Sequence, residues 1–258
     1  MTKALKIPQR ANKPKVLFLD VESLPNISYG FNLYDYTKPN MIIKEGTIIS
    51  FAWKWAGEKS VQVKTVYDFQ CTKKDPYNDK GLMEFISGII NEADYVVGHY
   101  SDKFDMRKIR MRLAVNGLPS LGPVSTIDTY KLAKKYFLFN ANRLDYLGKL
   151  LGCGGKISTN WQLWEDCAKG DEKAMQKMAD YNKRDVDLLE KVFHKLLPYC
   201  STNLNQKLFS DKEGPICETC GSSNLQKRGT VVNRVTKKQR LYCKDCGSWH
   251  SVKITKEA

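Results

Sequence analysis

The chain has 258 residues, of which 42% are hydrophobic and 27% are charged, a composition typical of soluble globular proteins that excludes a largely disordered chain. No apolar stretch approaches the roughly 18 residues of a membrane span, and the amino-terminal segment lacks the apolar core of a signal peptide, so we expect a cytoplasmic protein without a membrane partner. The formal net charge of +14 favours a polyanionic partner such as nucleic acid.

The chain begins with a basic arm. Residues 1–15 contain five Lys or Arg residues and no acid, which is typical of a flexible segment. The short apolar run at residues 16–20 predicts a central strand that is buried on both faces. Residues 23–45 have the pattern of a loop, but they are rich in aromatic side chains that either pack on the protein or stack on an unpaired base, namely Tyr29, Phe31, Tyr34 and Tyr36.

The next elements predict a layered α/β domain. Two strands, at residues 47–55 and 60–69, are expected to form a hairpin, and apolar residues at helical spacing predict a helix over residues 79–92. The remaining elements are a strand at 95–99, a helix at 104–117, a strand followed by a helix within 124–137, and helices at 143–151 and 172–197. This order predicts a mixed sheet flanked by helices.

A polar linker is expected to separate two domains. Pro198 ends the last predicted helix, and residues 200–213 are polar. We therefore expect a basic arm over 1–15, a globular domain over 16–199, a linker over 200–213 and a small module over 214–258.

Acidic residues stand where predicted elements of the large domain end or turn inward. Asp20 and Glu22 are two residues apart on an extended chain, so both side chains point to the same side of the strand. Asp105 opens a helix directly after a buried strand. Asp185 follows Tyr181 by four residues, so these two share a helical face.

Converging carboxylates are what hard divalent cations require, and two Mg²⁺ or Mn²⁺ ions about 3.5–4 Å apart can support phosphodiester hydrolysis. Three of these acids also have a plain alternative. Asp20 and Glu22 could be a solvated strand end, and Asp105 could be a first-turn acid that the helix dipole favours.

Taken together, these segments resemble the DEDD superfamily of 3′→5′ exonucleases, and the resemblance covers about residues 15–197. Asp20 and Glu22 match its first motif, Phe104 and Asp105 its second, and Tyr181 with Asp185 its third. The tyrosine of the third motif is typical of the tyrosine (DEDDy) subgroup. The sequence is also similar to those of stand-alone exonucleases, often encoded by phages, that resemble the proofreading domain of family-B DNA polymerases. One departure is Tyr100, where many relatives have asparagine.

The resemblance implies a ribonuclease-H-like α/β fold and a metal-dependent 3′→5′ exonuclease of DNA replication or repair, in the cytoplasm of a bacterium or a phage-infected host. Asp20, Glu22, Asp105 and Asp185 would hold two Mg²⁺ or Mn²⁺ ions, and Tyr181 would orient the attacking water. Phe104 and Leu24 would contact nucleic acid, although a packing role is equally open for Leu24.

Three alternatives remain open at this point. The chain could be a ribonuclease, a structure-selective nuclease on the same scaffold, or a nucleic-acid-binding protein that binds metal without turnover. We favour DNA over RNA as the substrate.

The small module contains two Cys-x-x-Cys pairs, each followed by glycine, formed by Cys217 with Cys220 and by Cys243 with Cys246. Thiolates at this spacing can close a tetrahedral site for one structural Zn²⁺, and no thioredoxin-like βαβ pattern supports a redox role. The module resembles a zinc ribbon. Its basic and aromatic residues predict contact with nucleic acid, with a replication or recombination protein as the alternative partner: Lys227, Arg228, Arg234, Lys237, Lys238, Arg240 and Trp249.

Overall fold

A computed structural model of the chain describes residues 13–30, 41–71 and 74–254. Most of the predicted basic arm and the aromatic residues Phe31, Tyr34 and Tyr36 lie outside the described residues. The chain divides into two compact units. The larger unit is Lys15–Phe193, and the smaller contains the described residues from His194 onward together with Lys13 and Pro14.

The larger unit is built on a five-stranded mixed sheet. The described strands of the larger unit are, in chain order, β1 Val16–Ser23, β2 Ile27–Tyr29, β3 Met41–Lys44, β4 Ile48–Trp55, β5 Gln62–Thr65, β6 Tyr95–Gly98 and β7 Ser125–Asp128. Strands β2 and β3 pair with each other in a separate sheet. The five-stranded sheet has the order β5-β4-β1-β6-β7, in which β1 is antiparallel to β4 and parallel to β6. Strand β1 is therefore central, and its first four residues are fully buried.

Helices flank this sheet. In chain order they are α1 Lys80–Asn91, α2 Asp105–Val115, α3 Thr129–Tyr136, α4 Leu144–Leu150, α5 Trp161–Lys169 and α6 Glu172–Leu196. Helix α1 contributes Leu82, Met83 and Ile86 to the core, where they meet the apolar side chains of β1 and β4. The predicted fold class, a mixed α/β domain with a central sheet between helices, is confirmed.

The structure differs from the predicted elements in three places. Helix α5 was not predicted, because its apolar pattern extends over only nine residues before Gly170, which has a φ of 91°. The segment predicted as a loop contains the short antiparallel ladder of β2 and β3. Strand β5 ends at Thr65, because the Asp68 carboxylate accepts hydrogen bonds from the Thr65 backbone N–H and hydroxyl and starts a 3-10 helix.

The topology brings the predicted acids to one edge of the sheet. Because β1, β6 and β7 run parallel, their carboxyl ends lie at the same edge. Asp20 and Glu22 lie toward the end of β1, Asp105 begins the helix after β6, and Asp128 ends β7. Acids that are remote in sequence therefore have a rigid common support.

The smaller unit contains a three-stranded antiparallel sheet, formed by β8 Leu225–Val232, β9 Lys237–Cys243 and β10 Trp249–Lys253 in the order β8-β9-β10. Strands β8 and β9 correspond to the predicted hairpin. Within this sheet only Leu241 and Cys243 are buried, so the apolar core is very small. Among the described residues, no helix is both long enough and apolar enough to cross a membrane.

Candidate active site and cysteine cluster

Three of the predicted acids converge at the end of strand β1. The carboxylate oxygens of Asp20, Glu22 and Asp185 lie within 4.8 Å of one another. Asp20 and Glu22 are half-buried on one face of β1, and Asp185 reaches them from helix α6, where it is 1% exposed. The strand and the helix thus form two walls of one acidic cluster.

Asn182 holds Asp20 in place, although sequence reasoning did not select it. Its side-chain Nδ2 donates to Asp20 Oδ2 at 2.6 Å, and its Oδ1 accepts from Ser50 Oγ at 2.8 Å. Asn182 is fully buried. The sequence did contain an indication of this role, because Asn182 lies three positions before Asp185 and therefore on the same helical face.

Asp105 borders the cluster and is not one of its three converging carboxylates. Its Oδ1 accepts a hydrogen bond of 3.2 Å from the backbone N–H of Val21, which lies between the two acids of β1. The side chain is buried at the start of α2. Asp105 is close enough that its charge helps to raise the pKa of Asp20.

Lys156 is a second residue of this cluster that sequence reasoning missed. It lies in the loop between α4 and α5, pairs with the Asp185 carboxylate and donates to Tyr181 Oη at 3.4 Å. Its ammonium also lies 5.4 Å from the centre of the Tyr181 ring. No periodic or spacing pattern marks this lysine, because its contact with α6 is formed only in the tertiary fold.

The acidic cluster is electrostatically unfavourable when all of its members are ionised. Burial, followed by the charges of Asp105 and Glu22, raises the pKa of Asp20 well above its ordinary value. Burial and the Asp185 charge raise the pKa of Glu22 to about 8, and burial raises the pKa of Asp105 to about 7 against the Val21 hydrogen bond. Burial also raises the pKa of Asp185, although Lys156 opposes that shift.

These properties fit a divalent-cation site. Carboxylate oxygens are hard ligands, and a buried group of them needs compensating positive charge. In the part of the chain that the structure describes, Asp185 Oδ1 is buried without a hydrogen-bond partner, although most buried polar atoms have one. A bound cation would give this unpaired oxygen a partner. Asp20, Glu22 and Asp185 are the residues that would hold the cation, with Asp105 beside them.

The raised pKa values predict that the metal-free chain becomes less stable as the pH rises. Glu22 and Asp105 keep protons in the folded state, up to about pH 8 and 7 respectively, that they lose near pH 4 when unfolded. The folded state then binds more protons within this window, so the free energy of unfolding falls as the pH increases. Without added divalent metal, thermal melts of the larger unit should shift to lower Tm between about pH 5 and 8, and excess Mg²⁺ should reduce the shift. A Tm that rises over this range would contradict the buried cluster.

The two predicted nucleic-acid contacts of this unit differ in exposure. Phe104, immediately before α2, is 47% exposed, so its ring is available to a ligand. Leu24 is 2% exposed and belongs to the hydrophobic core. For Leu24 the structure favours the packing role that the sequence left open.

The cysteines of the smaller unit form a compact cluster. The four Sγ atoms of Cys217, Cys220, Cys243 and Cys246 lie within 4.8 Å of one another, with Cys217 to Cys246 at 3.6 Å and Cys220 to Cys243 at 3.7 Å. Tetrahedral zinc with bonds of about 2.3 Å places its sulfur ligands about 3.8 Å apart. The cluster therefore fits a Zn²⁺ ion.

Glycine shapes both turns of this cluster. Gly221 and Gly247 have φ values of 75° and 77°, a region that side chains with a Cβ rarely adopt. Their backbone N–H groups donate to the carbonyl oxygens of Cys217 and Cys243. Each Cys-x-x-Cys pair is thus held in the same tight turn.

The basic residues of the smaller unit do not all lie on one face of its sheet. Tyr242 pairs with Trp249 across β9 and β10, and their ring centres are 5.1 Å apart. The Arg228 guanidinium lies 5.0 Å from the Tyr242 ring, and that of Arg240 lies 5.6 Å from the Trp249 ring. Lys227 is in register with the buried Leu241 and therefore belongs to the opposite face. Arg234, Lys237 and Lys238 lie at the tip, between or at the ends of β8 and β9.

Comparison with known proteins agrees with this fold. The RNase_H superfamily model matches residues 41–197 of the chain, a range that contains Asp105, Tyr181 and Asp185. The fold is similar to the family B DNA polymerase of the hyperthermophilic archaeon Pyrobaculum calidifontis, with a TM-score of 0.51 and 17% identity. That similarity covers 72% of this chain and 25% of the polymerase, so the chain spans about a quarter of the polymerase's length. At 17% identity, the similarity establishes the fold alone. No curated protein matches the sequence.

Proposed function

The chain belongs to the RNase_H superfamily, and we propose that it is a metal-dependent nuclease that removes nucleotides from the 3′ end of DNA. The observation that carries this proposal is the convergence of Asp20, Glu22 and Asp185 beside Asp105 at the carboxyl edge of the sheet. A set of this kind is suited to holding two Mg²⁺ or Mn²⁺ ions near a phosphodiester. The tyrosine of the Tyr181 and Asp185 pair supports the DEDDy subgroup.

Divalent ions bound by these carboxylates would lower the pKa of the attacking water and neutralise charge on the leaving oxygen. The protein side chains do the positioning. Asn182 fixes the orientation of Asp20, and the hydrogen bond from Val21 fixes Asp105. These bonds hold the ligands in place before a substrate arrives, which reduces the reorganisation that reaction would otherwise need.

Tyr181 is suited to orienting a water molecule. Burial and the Asp185 charge raise the pKa of its hydroxyl to about 12, so it stays protonated at neutral pH and serves as a hydrogen-bond donor and not as a base. Lys156 stays charged, because the Asp185 carboxylate raises its pKa against the effect of burial. Its ammonium adjoins both Asp185 and Tyr181, where it would attract a phosphate oxygen of the substrate.

We further propose that the smaller unit is a zinc ribbon over residues 214–258 that increases affinity for DNA. The face with Arg228, Tyr242, Trp249 and Arg240 offers cations for phosphates and a half-exposed indole for a base. In this organisation residues 1–15 are a basic arm, 16–199 the nuclease domain and 200–213 a linker. A replication or recombination protein is the alternative partner of the ribbon.

The decisive assay gives the protein DNA and RNA strands labelled at either the 3′ or the 5′ end, in Mg²⁺, Mn²⁺ or EDTA. We expect release of a labelled mononucleotide from 3′-labelled DNA and a ladder of shortened products from 5′-labelled DNA. EDTA should abolish both. The reaction requires metal ions because the carboxylates by themselves cannot activate water near neutral pH.

The same assay, extended to labelled branched and hairpin DNA, separates the alternatives. Faster loss of the RNA strands would make the chain a ribonuclease, and cuts confined to a branched or hairpin junction would make it structure-selective. Binding of DNA without any product, in either metal, would leave only a nucleic-acid-binding protein and would reject the proposal.

A further inference from the structure

A pocket next to the turn that precedes α2 has no role in the mechanism above. It is a cavity of about 270 Å³ that opens where strands β6 and β7 end. Two tyrosines, four lysines and one acid line it: Tyr100, Tyr130, Lys103, Lys131, Lys134, Lys135 and Asp128. Helix α3 supplies one wall, and the turn that precedes α2 supplies the other.

The backbone at this pocket is strained in a way that presents an aromatic ring. Tyr100 has a φ of 62°, and it is the one non-glycine residue with positive φ in the described part of the chain. Such a conformation is costly for an aromatic residue and persists only where the surroundings hold it. Here the Tyr100 N–H donates to Asp128 Oδ1 at 2.8 Å, and its side chain stays 42% exposed.

Asp128 forms hydrogen bonds with the backbone of both walls of the pocket. Its Oδ1 also accepts from the Tyr130 N–H at 2.9 Å and caps helix α3. The rings of Tyr100 and Tyr130 consequently meet edge to face with centres 5.0 Å apart. One carboxylate thus fixes the positions of both aromatic walls, because it accepts hydrogen bonds from the backbone N–H groups of both segments.

The remaining charge of the pocket is positive. Lys131 is paired with Asp102. Within the described ranges, no carboxylate forms an ion pair with Lys103, Lys134 or Lys135, and all three are exposed. Lysines that lack a paired acid attract phosphates, whereas exposed aromatic rings bind the faces or edges of unpaired bases.

The pocket is directly connected to the catalytic acids. The Phe104 N–H donates to the Tyr100 carbonyl at 3.1 Å, so the turn that carries Tyr100 also leads into α2, whose first residue is Asp105. The charge of Asp128 also contributes to the raised pKa of Asp105. A strand whose end lies at the acids would therefore have another of its nucleotides close to this pocket.

We propose that the pocket between the Tyr100 turn and α3 binds an unpaired nucleotide of a single-stranded nucleic acid, with the tyrosines at the base and Lys103, Lys134 and Lys135 at the phosphates. This inference rests on the proposed function, because it assigns the strand in the pocket to the substrate of the acidic cluster. Duplex is excluded as the preferred ligand, because its bases are stacked and paired and do not reach an aromatic pocket.

The test measures binding of a fluorescent oligothymidine of about six nucleotides by anisotropy, in a buffer that contains no Mg²⁺, no Mn²⁺ and no chelator, so that no cleavage occurs and bound zinc is retained. We expect Tyr130→Leu to weaken binding by at least about fivefold, since stacking contributes ~1–3 kcal/mol per base, and Tyr130→Phe to retain it. The double variant Lys134→Ala/Lys135→Ala should weaken binding and reduce the salt slope by about 1 to 2. The matched control is Lys59→Ala/Lys80→Ala, which removes two exposed lysines of the same unit away from the pocket.

Unchanged affinity in both pocket variants, or equal losses in the lysine control, would overturn the proposal. Equal losses for a blunt duplex would overturn the assignment to an unpaired base. A second readout uses the p-nitrophenyl ester of thymidine 5′-phosphate, which is too short to reach the pocket. Pocket variants should hydrolyse this ester normally but show a raised KM for the oligonucleotide. If the wild-type protein hydrolyses neither, the proposed function fails, and the anisotropy result still decides the pocket.

Discussion

Asp20→Asn is expected to reduce the rate of phosphodiester hydrolysis by at least about 1,000-fold, which corresponds to ~4 kcal/mol in the activation barrier. The substitution keeps the size of the side chain and an oxygen that can still accept from Asn182, so the fold should be retained. It removes a charged metal ligand from the point where Glu22 and Asp185 converge. The measurement is the initial rate on 3′-labelled single-stranded DNA at saturating Mg²⁺.

The same variant should be more thermally stable than the wild-type chain when no Mg²⁺ or Mn²⁺ is added. Asp20 has a raised pKa because its ionised form is disfavoured by burial and by the neighbouring acids, and asparagine removes that repulsion. Mg²⁺ should stabilise the wild-type chain and have a smaller effect on the variant. Higher stability combined with lost activity is typical of a functional group and distinguishes it from a structural one.

The matched control is Asp180→Asn on helix α6. Asp180 is exposed and directly precedes Tyr181, but it is not one of the converging carboxylates. Its replacement should leave both the rate and the Tm close to wild type. Asp20→Asn activity within about tenfold of wild type would reject a mechanism in which Asp20 holds a catalytic metal.

The parts of this molecule that sequence reasoning predicted are those with a local pattern. The buried run of β1 and the helical spacing of Tyr181 and Asp185 are readable because each depends on one element. The mixed sheet followed from the order of such elements. Helix α5 was missed because its pattern is short.

The parts that could not be predicted depend on contacts between distant segments. The pairing of Lys156 with Asp185 spans 29 positions, and the bond between Asn182 and Asp20 spans 162. Nothing in the local sequence of a glycine-rich loop identifies which helix its lysine will meet. The exposure of Phe104 and the burial of Leu24 were likewise decided by packing.

The electrostatics of the site follow from those same distant contacts. The four acids disfavour one another, and Lys156 is the cation that pairs with one of them, Asp185. A metal-free site with one lysine is therefore only partly compensated. Divalent ions would complete the compensation, which explains why a destabilising cluster is compatible with a stably folded domain.

Removal of zinc is expected to unfold the three-stranded sheet of the smaller unit and leave the larger unit folded. The three-stranded sheet buries only Leu241 and Cys243, which is far too little apolar surface to offset the loss of chain entropy. Structural zinc in small modules contributes an apparent free energy of about 10–16 kcal/mol, so its loss is not compensated elsewhere in this unit. Cys243→Ser, or a strong zinc chelator, should therefore abolish the dispersed NMR signals of β8 to β10 while the signals of β1 and β6 persist.

The consequence for binding separates the two partners considered for this unit. If the face with Arg228 and Arg240 contacts DNA, Cys243→Ser should weaken DNA binding by about tenfold or more and flatten its salt dependence. Cleavage of a short substrate at saturation should be unaffected, because the acidic cluster lies wholly in the larger unit. Cys71→Ser, which replaces an exposed cysteine outside the cluster, is the control and should change neither property. DNA binding that survives loss of the zinc-held fold would assign the smaller unit to a protein partner, because its aromatic and basic face could not then account for affinity toward DNA.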